Sequence, residues 1–151
     1  MKNQTRLLSV FAVLAATVSV LSAKPIPGPN GGRILTTSAP HAEFFVKDDH
    51  TVTVAFYDET LNPIPTGDRE VSVIAQAETG LAKLEFTKSA NSFTSTQPLP
   101  EGDGYTVVVQ IREQPGARPT NHRVVFHDEI CEECSRAEYA CVCDENDGHD
   151  H

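Results

Sequence analysis

Outside one short stretch near its end the chain has no cysteine, and it has no tryptophan at all. It has no long segment of helical periodicity, only one long apolar run, and 12 basic residues against 21 acidic ones. Each shortage excludes something. With a single apolar run, the chain is not a membrane protein throughout. With a formal net charge of −9 it repels phosphates, so nucleic acid and anionic membrane surfaces are excluded as partners and cations are favoured. No nucleophile elbow and no glycine-rich phosphate loop occurs, and a non-catalytic role is expected.

The apolar run is "LLSVFAVLAATVSVL", Leu7 to Leu21. Lys2 and Arg6 precede it and the small residues of "LSA" follow, which is the pattern of an export signal. It is shorter than the roughly 20 apolar residues of a spanning helix. Residues 1–23 are therefore read as a cleaved signal peptide. The mature protein is expected to be periplasmic or secreted, with no membrane span after cleavage. Removing Lys2 and Arg6 and no acid leaves 10 basic and 21 acidic residues, net −11. Residues 24–32, "KPIPGPNGG", hold three prolines and three glycines and read as an extended tether.

From residue 33 to 127 short segments alternate with period two. "TVTVAFY" puts Val52, Val54 and Phe56 on one face, and "EVSVIA" groups Val71, Val73 and Ala75. "LAKLEFT" groups Ala82, Leu84 and Phe86, "YTVVVQIR" groups Tyr105, Val107, Val109 and Ile111, and "HRVVFH" sets Val124 with Phe126. Such alternation marks strands with one buried face, and valine and threonine suit a pleated surface. The intervening segments, such as "DETLNPIPTGD", "SANS" and "EQPGARPTN", carry turn chemistry. These features predict an all-β, Ig-like antiparallel β-sandwich, with a small barrel as the alternative. "EGDGYTVVVQI" resembles the tyrosine corner of such sandwiches, although the immunoglobulin cysteine pair and strand tryptophan are missing.

Residues 128–151 differ: "DEICEECSRAEYACVCDENDGHDH" has nine acids, one base and few apolar residues beyond Ile130, Tyr139 and Val142. It is too short for a core of its own, so either a cross-link orders it or it stays loose. It contains all four cysteines, Cys131, Cys134, Cys141 and Cys143, spaced C-x2-C-x6-C-x-C. An exported protein meets oxidising conditions, so two disulfides are one reading: Cys131–Cys141 with Cys134–Cys143, or Cys131–Cys143 with Cys134–Cys141. That reading makes the chain a disulfide-stabilised interaction module for a protein or cell-surface partner. Redox catalysis needs a βαβ context and an electropositive setting, and Glu132, Glu133 and Glu138 oppose it. The third reading is metal. Two close thiol pairs joined by a turn suit a closed four-thiolate site for zinc, or for copper(I) with its taste for soft sulfur. His149 and His151 offer further imidazole ligands in the final "GHDH". A divalent cation offsets the thiolate and carboxylate charge, and a disulfide pair avoids thiolate charge altogether; both readings are electrostatically consistent, free thiolates are not, and metal is placed ahead of disulfides. His41, His50, His122 and His127 fall on or beside strands, and the last two flank the segment before the cysteines.

One further pattern lies in "GPNGGRILTTSAPHAEFFVKDDHTVTVAFY". "NGGRIL" followed by "HAEFFV", with Gly31, Gly32, His41 and Glu43, resembles the opening of small exported bacterial proteins associated with heavy-metal efflux by resistance-nodulation-division pumps. Those carry a histidine before the glycine pair; Asn30 stands there in this chain. The resemblance implies transition-metal homeostasis outside the inner membrane and an efflux-system component as partner. It also implies that the chain is not a complete pump subunit, since it lacks a long helical hairpin.

Overall fold

The computed structural model describes residues 25–143; the predicted signal segment, His149 and His151 lie outside them. The strands are β1 (Arg33–Ile34), β2 (His41–Val46), β3 (Thr51–Tyr57), β4 (Pro63–Ile64), β5 (Glu70–Ala77), β6 (Gly80–Leu84), β7 (Phe86–Lys88), β8 (Ser92–Pro98), β9 (Tyr105–Arg112) and β10 (Thr120–Phe126). A 3₁₀ turn, Glu138–Ala140, follows. One antiparallel sheet runs β1-β2-β3-β8-β7 with β4 against β3, and the other runs β10-β9-β5-β6. The molecule is the expected all-β sandwich with a cysteine-rich C-terminal segment.

The alternating residues do what their period requires. Val52, Val54 and Phe56 of β3 are buried, facing Val73 and Ala75 of β5, Val107, Val109 and Ile111 of β9, and Val124 and Phe126 of β10 in one core. Each such side chain contributes about 1.5–3 kcal/mol by leaving water. The tyrosine-corner expectation is met: the Tyr105 hydroxyl donates to the Pro100 carbonyl at 2.8 Å, closing the turn that enters β9. β5 and β6 form a hairpin in which Ala77 pairs with Gly80, whose φ of 121° only glycine adopts without strain.

Three segments differ from the sequence reading, each for a physical reason. "LAKLEFT", expected as one strand, is two: β6 belongs to one sheet and β7 to the other, with Glu85 alone between them. β8 carries a buried serine where an apolar residue would announce a strand. Ser95 Oγ accepts from the Val52 amide at 2.8 Å and donates to the Gln97 carbonyl, next to an irregularity in the β3–β8 register. β2 is covered on both faces, so its polar residues His41 and Glu43 are buried along with Ala42 and Phe44.

The cover on β2's outer face is the segment expected to be a tether. Pro27 bridges to Arg33, and the Gly31 amide donates to the Gly28 carbonyl, folding residues 27–33 into a tight turn. This turn is built around the Glu43 carboxylate. Oε1 accepts from the Asn30 and Gly32 amides, both at 2.9 Å. Oε2 accepts from Asn30 Nδ2 and the Tyr57 hydroxyl, both at 2.8 Å. Burial, then the Glu43 contact, pushes the Tyr57 hydroxyl above its ordinary range, which keeps it a donor. A Cβ on Gly32 would overlap the Phe44 carbonyl, so only glycine lets the turn lie this close.

Glu43→Gln places an NH₂ where two donors already point. It is expected to lower stability by about 2–4 kcal/mol, and Gly32→Ala by a comparable amount through backbone displacement. Urea midpoints measure both; unchanged midpoints would show that this carboxylate does not hold the turn.

Candidate metal centre

The first cysteine pair sits on a miniature hairpin. Ile130 bridges to Ala137, the Cys131 amide donates to the Arg136 carbonyl at 2.8 Å, and the Ser135 amide donates to the Cys131 carbonyl at 2.9 Å. Ser135 takes a φ of 56°, which turns the chain sharply after Cys134. The 3₁₀ turn Glu138–Ala140 then reverses direction, and the backbone is extended at Cys141, with φ −60° and ψ 138°. Cys141 and Cys143, on this non-strand segment, both bring their sulfurs to the hairpin cysteines.

All four sulfurs lie within 4.8 Å of one another. Cys131 and Cys143 are 3.8 Å apart, Cys134 and Cys141 3.7 Å, and Cys141 and Cys131 3.6 Å. A disulfide is about 2.05 Å long, and the four thiols are free. A tetrahedral ion with sulfur at about 2.3 Å has ligand–ligand edges of about 3.8 Å. The three contacts are therefore near the edges of a tetrathiolate site, which the residues fit in donor type and number.

Cys131 is buried, while Cys134, Cys141 and Cys143 are partly exposed. Burial raises the Cys141 thiol; contact with Cys141 first, and burial second, raises that of Cys143. Cys134 differs. Burial pushes it up, but backbone N–H groups of Val142 and Arg136, aided by the Cys141 and Cys131 thiols, outweigh burial and bring it down to about 7. The neighbouring glutamates, expected to make all these thiols harder to ionise, do not prevail at Cys134.

Residues 128–143 are tied to the sandwich by packing and hydrogen bonds. Tyr139 is inserted between the sheets, edge-on to Phe44 of β2 at 5.8 Å and tilted against Phe126 of β10 at 5.6 Å. Its hydroxyl accepts from the Val46 amide at 2.9 Å and its carbonyl from Arg33 at 3.3 Å. Ala140 is buried beside it. The cysteine knuckle thus closes the side of the sandwich where β1 edges one sheet and β10 the other. A second clasp precedes it: Asp103 takes His127 Nδ1 at 2.7 Å and the Asp128 amide at 3.0 Å, and His50 meets Asp128 at 3.2 Å.

Among the described residues, no histidine joins the cysteines as a ligand group. His127 and His50 serve the clasp, His41 is buried near Thr36, and His122 lies half-buried on β10. Gly31, Gly32 and Glu43 assemble as a structural unit: each Glu43 oxygen already accepts two hydrogen bonds, leaving no lone pair for an ion. Asn30 donates to that carboxylate through both its amide and its side chain. The anchoring role of Tyr139 was the piece sequence reasoning missed; its signal was one aromatic in an otherwise polar tail. Scans against protein-family models, curated proteins and solved structures each return no match.

Two outcomes follow. Tyr139→Ala should cost about 3–5 kcal/mol, as large-to-small core changes do, and should spread the cysteines; chemical denaturation checks the first and thiol-labelling rates the second. Labelling no faster than wild type would show that Tyr139 does not hold them together. His127's hydrogen bond, foremost, holds the Asp103 carboxyl below its ordinary 3.8 against the opposing effect of burial. A depressed carboxyl gives its full stabilisation above the ordinary value and loses it as pH falls through the lowered one. A carbon-detected titration of Asp103 should show a midpoint under 3.8 that moves upward in His127→Ala.

Proposed function

We propose that this is an exported, non-catalytic metal-binding protein that sequesters or hands over zinc or copper(I) near an efflux system, with Cys131, Cys134, Cys141 and Cys143 as ligands. The observation that carries this reading is the set of free sulfurs with contacts of 3.6–3.8 Å, close to tetrahedral edges. Electrostatics supports it: a cation offsets thiolate charge in a segment crowded with carboxylates. The three partly exposed cysteines suit exchange of the ion with an acceptor, while buried Cys131 keeps the site attached to the fold. His149 and His151 are proposed as auxiliary ligands that raise local ion concentration. The leader-like residues 1–23 support export to the periplasm or beyond, and the likeness of "NGGRIL" and "HAEFFV" to proteins of metal-efflux systems supports the partner.

A second reading has its own observation. Cys131–Cys143 and Cys134–Cys141 are complementary close pairs, at 3.8 and 3.7 Å, so the same cluster can close as two disulfides. That form is the interaction module.

Intact mass without reductant, together with elemental analysis of protein from its native compartment, separates the two. The metal reading expects four titratable thiols and one ion per chain. It also expects the Cys131→Ser/Cys134→Ser variant to lose the ion while the sandwich stays folded. Ion at 100 times its dissociation constant should add about 2.7 kcal/mol of stability to wild type and none to the variant. Loss of four hydrogens with no retained ion would falsify the metal reading.

A further inference from the structure

Beside the knuckle, β1 and β10 frame a cleft of about 400 Å³. Arg33, Arg123, His122, Asn121 and Cys141 line it, over an apolar floor that includes Leu35 and Val142. Among the described residues no carboxylate lines it, in a chain whose net charge is −9. Other clefts mix the two signs: one on β5–β7 carries Asp68, Glu70 and Glu85 with Arg69, Lys83 and Lys88, and another carries Asp48 and Asp128 with Lys47 and Arg136. Burial holds the His122 imidazole below its usual range, so the positive charge here belongs to the two guanidiniums. Arg33 commits one nitrogen to the Tyr139 carbonyl and keeps other donors.

We propose that this cleft binds a small carboxylate ligand, with Arg33 and Arg123 as its anchors, and brings it against Cys141. A guanidinium presents paired N–H donors that match a carboxylate. A long polyanion is disfavoured by the overall charge, whereas a small anion meets only the local cations. The volume falls in the range of small-molecule sites, about 300–1,000 Å³. Carboxylate binding as such stands apart from the metal reading. Its consequence, an oxygen ligand delivered beside a thiolate that holds the ion, rests on that reading.

The test follows amide resonances of the full chain, metal-free and zinc-loaded, during titration with succinate, a dicarboxylate that chelates weakly. Saturable shifts confined to residues 33–36, 121–123 and 140–142 are expected in both forms. Arg123→Glu should weaken binding roughly tenfold or more, the loss expected for charge-assisted hydrogen bonds, and Arg123→Lys should fall between, with zinc content unchanged in both. Shifts that never saturate, shifts spread over the whole surface, or undiminished affinity in Arg123→Glu overturn the proposal. Inorganic phosphate binding as tightly as succinate overturns the carboxylate assignment. A chain that binds succinate but takes neither zinc nor copper(I) supports the cleft and sinks the metal reading alone; one that takes either ion but not succinate does the reverse.

Discussion

The ring of Tyr139 is the contact on which the C-terminal architecture depends. It lies between Phe44 of one sheet and Phe126 of the other, and its hydroxyl satisfies the Val46 amide. A short acidic segment has too little apolar surface to order itself. Borrowing a place in an existing core solves that problem with one aromatic side chain. Position then follows locally: the 3₁₀ turn that presents Tyr139 inward delivers Cys141 and Cys143 outward, toward the hairpin bearing Cys131 and Cys134. The four thiols gather where the hairpin and the segment after the 3₁₀ turn face one another.

The other end of the chain applies a different device to the same sandwich. Glu43 is a buried charge whose desolvation is offset by four donors, three of them from the Asn30–Gly32 turn. The glycine pair and the glutamate form a structural lock. Tail and N-terminal turn meet at β1, where Arg33 directly follows the lock and also reaches the Tyr139 carbonyl.

Much of the sandwich was legible because five of its segments alternate cleanly. Val52, Val54 and Phe56 read as one face and are buried; so do Val107, Val109 and Ile111. What was not legible has a common cause: local pattern fails wherever tertiary contacts replace the usual occupant. β2 does not alternate because the N-terminal turn covers its outer face. β8 hides behind Ser95, which serves as a hydrogen-bonding stand-in within an irregular ladder. A proline- and glycine-rich run looks like a tether when its partner, Glu43, is more than ten residues away. For the cysteines, spacing singled out a candidate cluster and left open metal or disulfide; the geometry adds sulfur contacts near tetrahedral edges without a covalent bond.

The passage from β6 to β7 through the single residue Glu85 makes the two long sides of the sandwich unequal. On that side the sheets are stitched by the chain itself, as pages are at a spine. On the opposite side they are held by side-chain packing, by the clasp of His50, Asp103, His127 and Asp128, and by the knuckle. The sulfur cluster lies on that opposite side, where β1 and β10 edge the two sheets, and is joined to both layers through Tyr139 rather than set on a detached tail.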